Sequence, residues 1–371
     1  MGISPELFLN LLVSNGTDYF TGVPDSLLKS FCSLLINSPN HITAVNEGAA
    51  VALASGYHLA TGKVPLVYMQ NSGIGNAVNP LLSLADPDVY RIPMLLLIGW
   101  RGEPGVKDEP QHIKQGKVTC ALFEAMNIPY LILAETEEEV KKQIDFCFAH
   151  IKKENSPFVL IARKDFFTQN NIDSPLDAGA EMSREEAIET IITSSLSDEI
   201  FVSTTGMASR ELYELREKHN MSRQSDFLTV GSMGHASSIA LGIALEKKQK
   251  NITCIDGDGA ALMHLGSIAA VGNLKPANFR HIVLNNASHD SVGGQPTIAD
   301  NLDFPGIAFA AGYDYVFFVK NKDELKQVLN QKTRPQFIEV KVRKGNRKNL
   351  GRPSSGPKEN KEAFMRFLAA T

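Results

Sequence analysis

The stretch Cys254-Ile255-Asp256-Gly257-Asp258-Gly259-Ala260 predicts a buried strand, a tight turn and the start of a helix in immediate succession. Gly257 and Gly259 have no Cβ, so the backbone there can turn sharply and approach a ligand closely. A helix beginning near Ala260 directs its free N–H groups into the same crevice, where they attract phosphate. The sequence therefore predicts a phosphate-binding turn at the carboxyl end of a strand.

Oxygen ligands for a metal ion accompany this turn. Asp258 offers a carboxylate, and the next predicted strand, 281–284, is followed by Asn285 and Asn286. One carboxylate, one amide oxygen, a backbone carbonyl, a water and two phosphate oxygens form the octahedral shell that Mg²⁺ prefers. The pattern therefore predicts a Mg²⁺ ion that neutralises a bound diphosphate.

This combination resembles the thiamine-diphosphate enzyme family, whose signature is Gly-Asp-Gly followed by Asn-Asn after the next strand. The resemblance implies thiamine diphosphate and Mg²⁺ as cofactors. It implies Asp258, Asn286 and the Ser288 carbonyl as metal ligands. The turn residues implied to contact the cofactor are Gly257, Asp258, Gly259 and Ala260, together with Asn286.

Two further segments match the family. Glu47, at the start of the predicted helix 47–59, stands where the family has a glutamate that promotes loss of the thiazolium C2 proton. The stretch 229–235 resembles a Gly-Ser-x-Gly turn, which implies that Gly231 contacts the aminopyrimidine and that Met233 bends the cofactor. Gly206 resembles another cofactor contact. Taken alone, Glu47 also fits a first-turn residue stabilised by the helix dipole, and Met233 a core residue.

The glycines of Gly73-Ile74-Gly75 invite comparison with a dinucleotide-binding fingerprint. Val78 stands where that fingerprint needs its third glycine. We therefore predict no dinucleotide site.

Strand-like and helical segments alternate along the chain, which predicts an α/β protein with parallel sheets and crossover helices. Apolar runs such as 94–98 fit strands that are buried on both faces. A polar break interrupts the alternation, and Ser183 with Glu186 then forms a capping-box pattern. We therefore expect two domains of the thiamine-diphosphate-binding type, each a mostly parallel sheet with helices on both faces. The expected divisions are a pyrimidine-binding domain at 1–167, a linker at 168–182 and a diphosphate-binding domain at 183–371.

Composition excludes several classes of protein. The 371 residues are 43% hydrophobic and 21% charged, with a formal net charge of −4, so no basic field indicates nucleic acid. The four cysteines show no metal-site spacing, and we expect reduced, buried thiols. There is no signal-peptide pattern and no apolar run long enough to span a bilayer. We therefore expect a cytoplasmic protein without membrane or nucleic-acid partners.

The chain has room for only two domains, which resembles the branch of the family that decarboxylates phosphonopyruvate or sulfopyruvate. The segments that carry this resemblance are 22–26, 100–105, 108–112 and 285–297. It implies a 2-oxo acid substrate, with phosphonopyruvate preferred, and proton transfers by Asp25 and His112. A substrate with a carboxylate and a phosphonate needs cations. The local candidates are Arg101, Lys107, His289, Arg347 and Arg352.

Three alternatives remain at this stage: a sulfopyruvate decarboxylase, a carboligating enzyme of the acetolactate-synthase type, and a non-catalytic thiamine-binding regulatory subunit. The absence of a middle domain counts against the carboligating enzyme. Glu47, Asp258 and Asn286 argue against a catalytically silent chain. The resemblance also implies a homodimer, or a dimer of dimers, with Glu47 of one subunit and Asp258 of the next completing each active site at the interface.

Overall fold

The computed structural model describes residues 2–169 and 180–370. The chain divides into two compact units, Met1–Ser174 and Pro175–Thr371. Each unit contains a six-stranded sheet in which every pair of neighbouring strands is parallel. This arrangement confirms the predicted fold of two α/β domains. Most of the predicted linker 168–182 lies outside the described residues, so its bounds stay a prediction.

The first unit has the strand order β2-β1-β3-β4-β6-β5. Its strands are β1 Phe20–Gly22, β2 His41–Thr43, β3 Leu66–Gln70, β4 Leu95–Gly99, β5 Tyr130–Ile132 and β6 Phe158–Ala162. Its helices are α1 Pro5–Ser14, α2 Lys29–Leu35, α3 Glu47–Thr61, α4 Ile74–Pro80, α5 Pro110–Ala125 and α6 Glu137–Glu154. Within β4, Leu95 and Leu97 pack into one hydrophobic cluster and Leu96 and Ile98 into another. Helices therefore cover both faces of the sheet, as expected for an apolar strand.

The second unit has the strand order β11-β12-β10-β9-β7-β8. Its strands are β7 Ile200–Ser203, β8 Asp226–Leu228, β9 Ile252–Gly257, β10 Phe279–Asn285, β11 Tyr315–Val319 and β12 Gln336–Lys341. Its helices are α7 Arg184–Ser194, α8 Met207–Lys218, α9 Ala236–Glu246, α10 Asp258–Met263, α11 Gly266–Leu274, α12 Phe304–Ala311, α13 Lys322–Leu329 and α14 Pro357–Ala370. The predicted capping box of Ser183 and Glu186 opens α7.

The two sheets have the same topology, because the second order matches the first when each sheet is counted from its own first strand. In each sheet the order in which strands are added reverses between two neighbouring strands. These strands are β1 and β3 in the first sheet, and β7 and β9 in the second. Ligands of open parallel sheets bind beyond the carboxyl ends of the strands at such points. The fold therefore predicts that ligand-binding residues follow β1, β3, β7 and β9.

The short strands β1, β2 and β8 were not apparent from the sequence, because three residues are too few to show a period. Among the described residues, no helix is both long enough and apolar enough to cross a membrane.

Candidate active site

The turn after β9 and the loop after β10 meet at the carboxyl edge of the second sheet. Leu284 lies opposite Gly257 in the register of these strands, so Asp258 and Asn286 follow neighbouring strand ends. Thr297 links them: its hydroxyl donates to Asp258 Oδ2 at 2.5 Å, and its N–H donates to the Ala287 carbonyl at 3.0 Å. The structure therefore brings the two predicted metal ligands to one loop cluster.

Asp258 is a buried carboxylate, only 3% exposed. Burial raises its pKa to about 6, although the hydrogen bond from Thr297 opposes that rise. Within residues 2–169 and 180–370, no lysine or arginine forms an ion pair with this carboxylate. A buried charge without a counter-ion is costly. A hard divalent cation would offset that cost, so the donor set fits the predicted metal.

The loop after β10 contains the second predicted oxygen ligand, Asn286. The Asn286 side chain donates from Nδ2 to Asp290 Oδ2 at 2.6 Å, and its Oδ1 accepts from the Ser288 N–H at 3.0 Å. The Ser288 hydroxyl is buried and has no hydrogen-bond partner in the described part of the chain. A buried polar atom of this kind is satisfied by a ligand or by water. The Ser288 carbonyl as a metal ligand stays a prediction.

The predicted cofactor turns cluster around Gly259. A Cβ at that position would lie 3.0 Å from His289 Cε1 and 3.4 Å from Met233 Cε, so three residues predicted to bind cofactor or substrate are neighbours. Gly234, in the same turn as Gly231, has a φ of +86° and lies against the Ala260 carbonyl. Gly206 caps α8 with a φ of +92° and faces Ser291. These turns come from different parts of the sequence, yet they all lie at one edge of the sheet.

Asp256 supports the cofactor turn from beneath. Its Oδ1 accepts from the Gly257 N–H at 2.9 Å, and its Oδ2 lies 3.4 Å from His281 Nε2. Cys254 completes a fully buried group whose potential ligand atoms all lie within 4.8 Å of one another. These contacts hold the end of β9 from inside the sheet.

The predicted substrate cations of this unit have distinct environments. Burial lowers the pKa of His289 to about 4, although Asp290 opposes that shift. His289 is therefore neutral at pH 7 and can contribute hydrogen bonds there. Arg347 donates to Glu185 at 2.9 Å and also pairs with Glu214. Arg352 is exposed.

In the first unit, Glu47 begins α3 and is buried. Its Oε2 accepts from Asn76 Nδ2 at 2.7 Å. Gly73 lies directly against the carboxylate, because a Cβ there would be only 2.2 Å from Glu47 Oε1. Burial raises the pKa of Glu47, and the hydrogen bond from Asn76 opposes that effect. A carboxyl group in this setting can hold or release a proton nearer neutrality than an exposed glutamate.

The sequence around Gly73 suggests only a comparison with a nucleotide fingerprint, and it indicates no role for Asn76. Gly73 in fact makes room for the Glu47 carboxylate. A glycine and an asparagine at the start of the helix after β3 could have suggested this arrangement. The neighbouring sequence, however, does not indicate that they contact a glutamate that follows β2.

Asp25 is fully buried beyond β1. Its Oδ2 accepts from the Leu27 N–H at 3.1 Å, whereas Oδ1 has no partner among the described residues. Burial raises its pKa to about 6, although the nearby charge of Arg101 opposes that rise. Gly99 lets the carboxylate fit, because a Cβ there would lie 1.9 Å from Oδ2.

The charge of Arg101 acts on both Asp25 and the predicted residue His112. It donates to Asp108 at 2.8 Å from Nε and at 2.5 Å from its terminal nitrogen, and to Ser26 Oγ at 2.8 Å. Burial lowers the pKa of His112, and the positive charge of Arg101 lowers it further. The His112 Nδ1 is buried and lacks a partner in the described ranges. Asp108 is a residue for which sequence reasoning assigned no role, and Lys107 beside it is exposed.

Comparison with known proteins identifies the class. Residues 5–121 match the model of the thiamine pyrophosphate enzyme N-terminal TPP binding domain, and residues 203–340 match that of the C-terminal TPP binding domain. Thiamine pyrophosphate is another name for thiamine diphosphate. The chain belongs to the thiamine pyrophosphate enzyme family, which confirms the resemblance and the expected cofactor.

Curated relatives align over nearly the whole chain. The phosphonopyruvate decarboxylase of Streptomyces viridochromogenes is 33% identical over 377 residues, covering 96% of this chain and 93% of that protein. The phosphonopyruvate decarboxylase of Streptomyces hygroscopicus is 34% identical over 389 residues, covering 98% and 94%. The sulfopyruvate decarboxylase of Methanosarcina acetivorans is 27% identical over 389 residues, covering 98% and 97%.

We expect Gly73→Ala to slow exchange of the thiamine C2 proton by about 10²-fold, because the new methyl group displaces the Glu47 carboxylate. The exchange rate in D₂O is measured by NMR on the bound cofactor. Gly75→Ala is the matched control, since a Cβ at Gly75 meets no atom within 4 Å. Equal exchange rates in the two variants would contradict this role of Gly73.

We expect Asp25→Asn to raise the melting temperature at neutral pH. The pKa of Asp25 is raised in the folded state from 3.8 to about 6, so protonation favours folding and that stabilisation is lost as the pH rises through about 6. The amide removes a destabilisation on the order of 3 kcal/mol above about pH 6. The gap between variant and wild type should close towards about pH 4.

Melting curves across this pH range test the expectation. Asp88→Asn is the control, because Asp88 is exposed and its amide should leave the profile unchanged. A gap for Asp25→Asn that does not depend on pH would rule out the buried ionised carboxylate as its cause.

Proposed function

We propose that this protein is a thiamine-diphosphate- and Mg²⁺-dependent carboxy-lyase that converts 3-phosphonopyruvate into phosphonoacetaldehyde and CO₂. The observation that carries this proposal is the nearly full-length identity of 33% and 34% to two phosphonopyruvate decarboxylases, against 27% to the sulfopyruvate decarboxylase. The buried carboxylates that follow strands in both sheets also support it. A phosphonate-forming pathway is the corresponding biological setting.

Asp258, Asn286 Oδ1 and the Ser288 carbonyl are the proposed ligands of Mg²⁺. The uncompensated burial of Asp258 and the all-oxygen donor set support this choice. The turn Gly257-Asp258-Gly259-Ala260 is proposed to face the diphosphate. Gly206, Gly231 and Met233 are proposed to contact the rest of the cofactor. These assignments rest on the family match together with the shared edge of the sheet.

Glu47 is the proposed proton relay. Thiamine diphosphate, when bound, supplies a thiazolium ring that accepts the electron pair left as CO₂ departs. Glu47 Oε1 or Oε2 would hold a proton against the aminopyrimidine, and its raised pKa favours the protonated form that this task needs. Asn76 keeps the carboxyl group in one orientation by its hydrogen bond to Oε2.

Replacing CO₂ by a proton requires a donor near the substrate carbon. Asp25, whose pKa is raised to about 6 by burial, and His112 are the proposed groups. The phosphonate and carboxylate of the substrate require cations, for which Arg101, Lys107, Arg347 and Arg352 are the proposed residues. His289, being neutral, would contribute a hydrogen bond to the same ligand.

Assembly and location follow from the family resemblance alone. We propose a homodimer or a dimer of dimers in the cytoplasm, with each active site at a subunit interface. A mass of two or four times 40.5 kDa by light scattering would support the assembly.

We expect the purified protein to release CO₂ and phosphonoacetaldehyde from phosphonopyruvate only when both Mg²⁺ and thiamine diphosphate are present. The metal-stripped protein should lose activity and regain it with Mg²⁺. Product analysis by NMR, run in parallel on sulfopyruvate, checks the substrate. A clear preference for sulfopyruvate would make the protein a sulfopyruvate decarboxylase. Binding of thiamine diphosphate without turnover of either acid would make it a regulatory subunit.

We expect Glu47→Gln to lower kcat by about 10²- to 10⁴-fold. The reason is that an amide cannot donate a proton and take it back as the carboxyl group does. Steady-state kinetics with saturating cofactor measure this loss. Full activity of the variant would exclude Glu47 as the relay. The exposed Glu138→Gln on α6 provides a control that changes the same functional group away from the sheet edge.

A further inference from the structure

The two ends of the Asn286 amide have different partners. Its Nδ2 donates to Asp290 Oδ2 at 2.6 Å. Its Oδ1 accepts from the Ser288 N–H at 3.0 Å, which leaves one lone pair of that oxygen available. An ionised carboxylate only accepts hydrogen bonds, so Asp290 can face the NH₂ end of the amide and not the oxygen. Asp290 and the Ser288 N–H therefore favour the same orientation of the Asn286 amide, with its NH₂ group facing Asp290.

Asp290 is itself held firmly in place. Arg184 donates to its Oδ2 at 3.0 Å, and the Gly345 N–H donates to the same atom at 2.9 Å. Arg184 is fixed in turn by two hydrogen bonds to Glu211, at 2.8 and 2.9 Å. The Arg184 side chain is only 9% exposed and that of Glu211 1%, so water competes little for these contacts.

The groups that hold Asp290 come from distant parts of the chain. Arg184 begins α7, Glu211 lies in α8, and Gly345 follows β12. The segment that contains Gly345 is also attached to the helices by Arg347, which pairs with Glu185 and Glu214. Two elements thus converge on one carboxylate oxygen, and a third, α8, holds the arginine that contacts it.

We propose that Asp290 is a positioning residue for the metal site. It selects the orientation of Asn286 in which Oδ1, rather than the NH₂ group, faces Mg²⁺, and Arg184 and the Gly345 N–H hold it there. This inference rests on the proposed function, because it takes Asn286 as a metal ligand. An amide turned the other way would present N–H groups to the cation and could not bind it. Outer groups that orient ligands typically affect metal affinity by about 10- to 100-fold.

The inference also gives the basic C-terminal segment a second role. Sequence reasoning placed Arg347 and Arg352 near the phosphonate of the substrate. Here the backbone of Gly345 contributes to the metal site, and Arg347 fastens the segment that carries it.

The test is isothermal titration calorimetry of thiamine diphosphate into metal-free protein at a series of Mg²⁺ concentrations. Asp290→Ala removes the oxygen that accepts from Asn286, Arg184 and the Gly345 N–H, so only the Ser288 N–H still favours one orientation of the Asn286 amide. We expect the Mg²⁺ concentration that gives half-maximal binding to rise by about 10-fold or more, with normal binding restored at high Mg²⁺. The matched control is Asp300→Ala, because Asp300 is an exposed acid in the same loop and pairs with Lys341.

A second variant guards against a general loss of folding. Arg184→Lys keeps the charge but loses the planar contact with both carboxylates, and it leaves Asn286 and Asp290 unchanged. We expect a smaller shift in the same direction, with a near-UV circular dichroism spectrum like that of the wild type. Unchanged Mg²⁺ midpoints in both variants would overturn the positioning role, and so would binding that no Mg²⁺ concentration restores. If the wild type itself shows no Mg²⁺-dependent binding, the proposed function fails instead.

Discussion

Burial of carboxylates at the carboxyl ends of parallel strands is the constraint on which this structure depends. Asp258, Glu47 and Asp25 each follow a strand, and each is almost wholly withdrawn from water. Withdrawal raises the pKa of all three. Burying them costs free energy. In the first unit, apolar clusters cover both faces of the sheet and contribute stability against that cost. The same cost makes these groups suited to bind a cation or to hold a proton.

Glycine provides the space for these groups. Gly73 lies against the carboxylate of Glu47, and Gly99 lies against that of Asp25. In both places a Cβ would overlap a carboxylate oxygen, so the glycine accommodates a neighbour from another strand. A glycine that looks in the sequence like part of a phosphate loop can therefore be required by a side chain far away in the sequence.

Hydrogen bonds of neutral and charged partners then orient each buried group. Thr297 holds Asp258, Asn76 holds Glu47, and Asp290 holds Asn286. Each partner fixes one end of a group that would otherwise have two equivalent orientations. The proposed reaction requires such fixed orientations, because a misplaced proton donor or metal ligand contributes little to catalysis.

The sequence by itself determined the α/β class, the two domains and the family, and it indicated the candidates for the metal and proton-relay residues. These rest on local patterns: apolar strand runs, the Gly-Asp-Gly turn, and a glutamate at a helix start. Only the tertiary structure decided which partners these residues have. Asn76 lies in the helix after β3, whereas Glu47 begins the helix after β2, and the two side chains form a hydrogen bond. Arg184 and Asp290 are 106 residues apart in the sequence, yet their side chains are in contact. The neutrality of His289 and the pairing of Arg101 with Asp108 also depend on burial and on close packing. The physical reason is that hydrogen bonding and desolvation act between atoms near in space, whereas a sequence pattern records only neighbours along the chain.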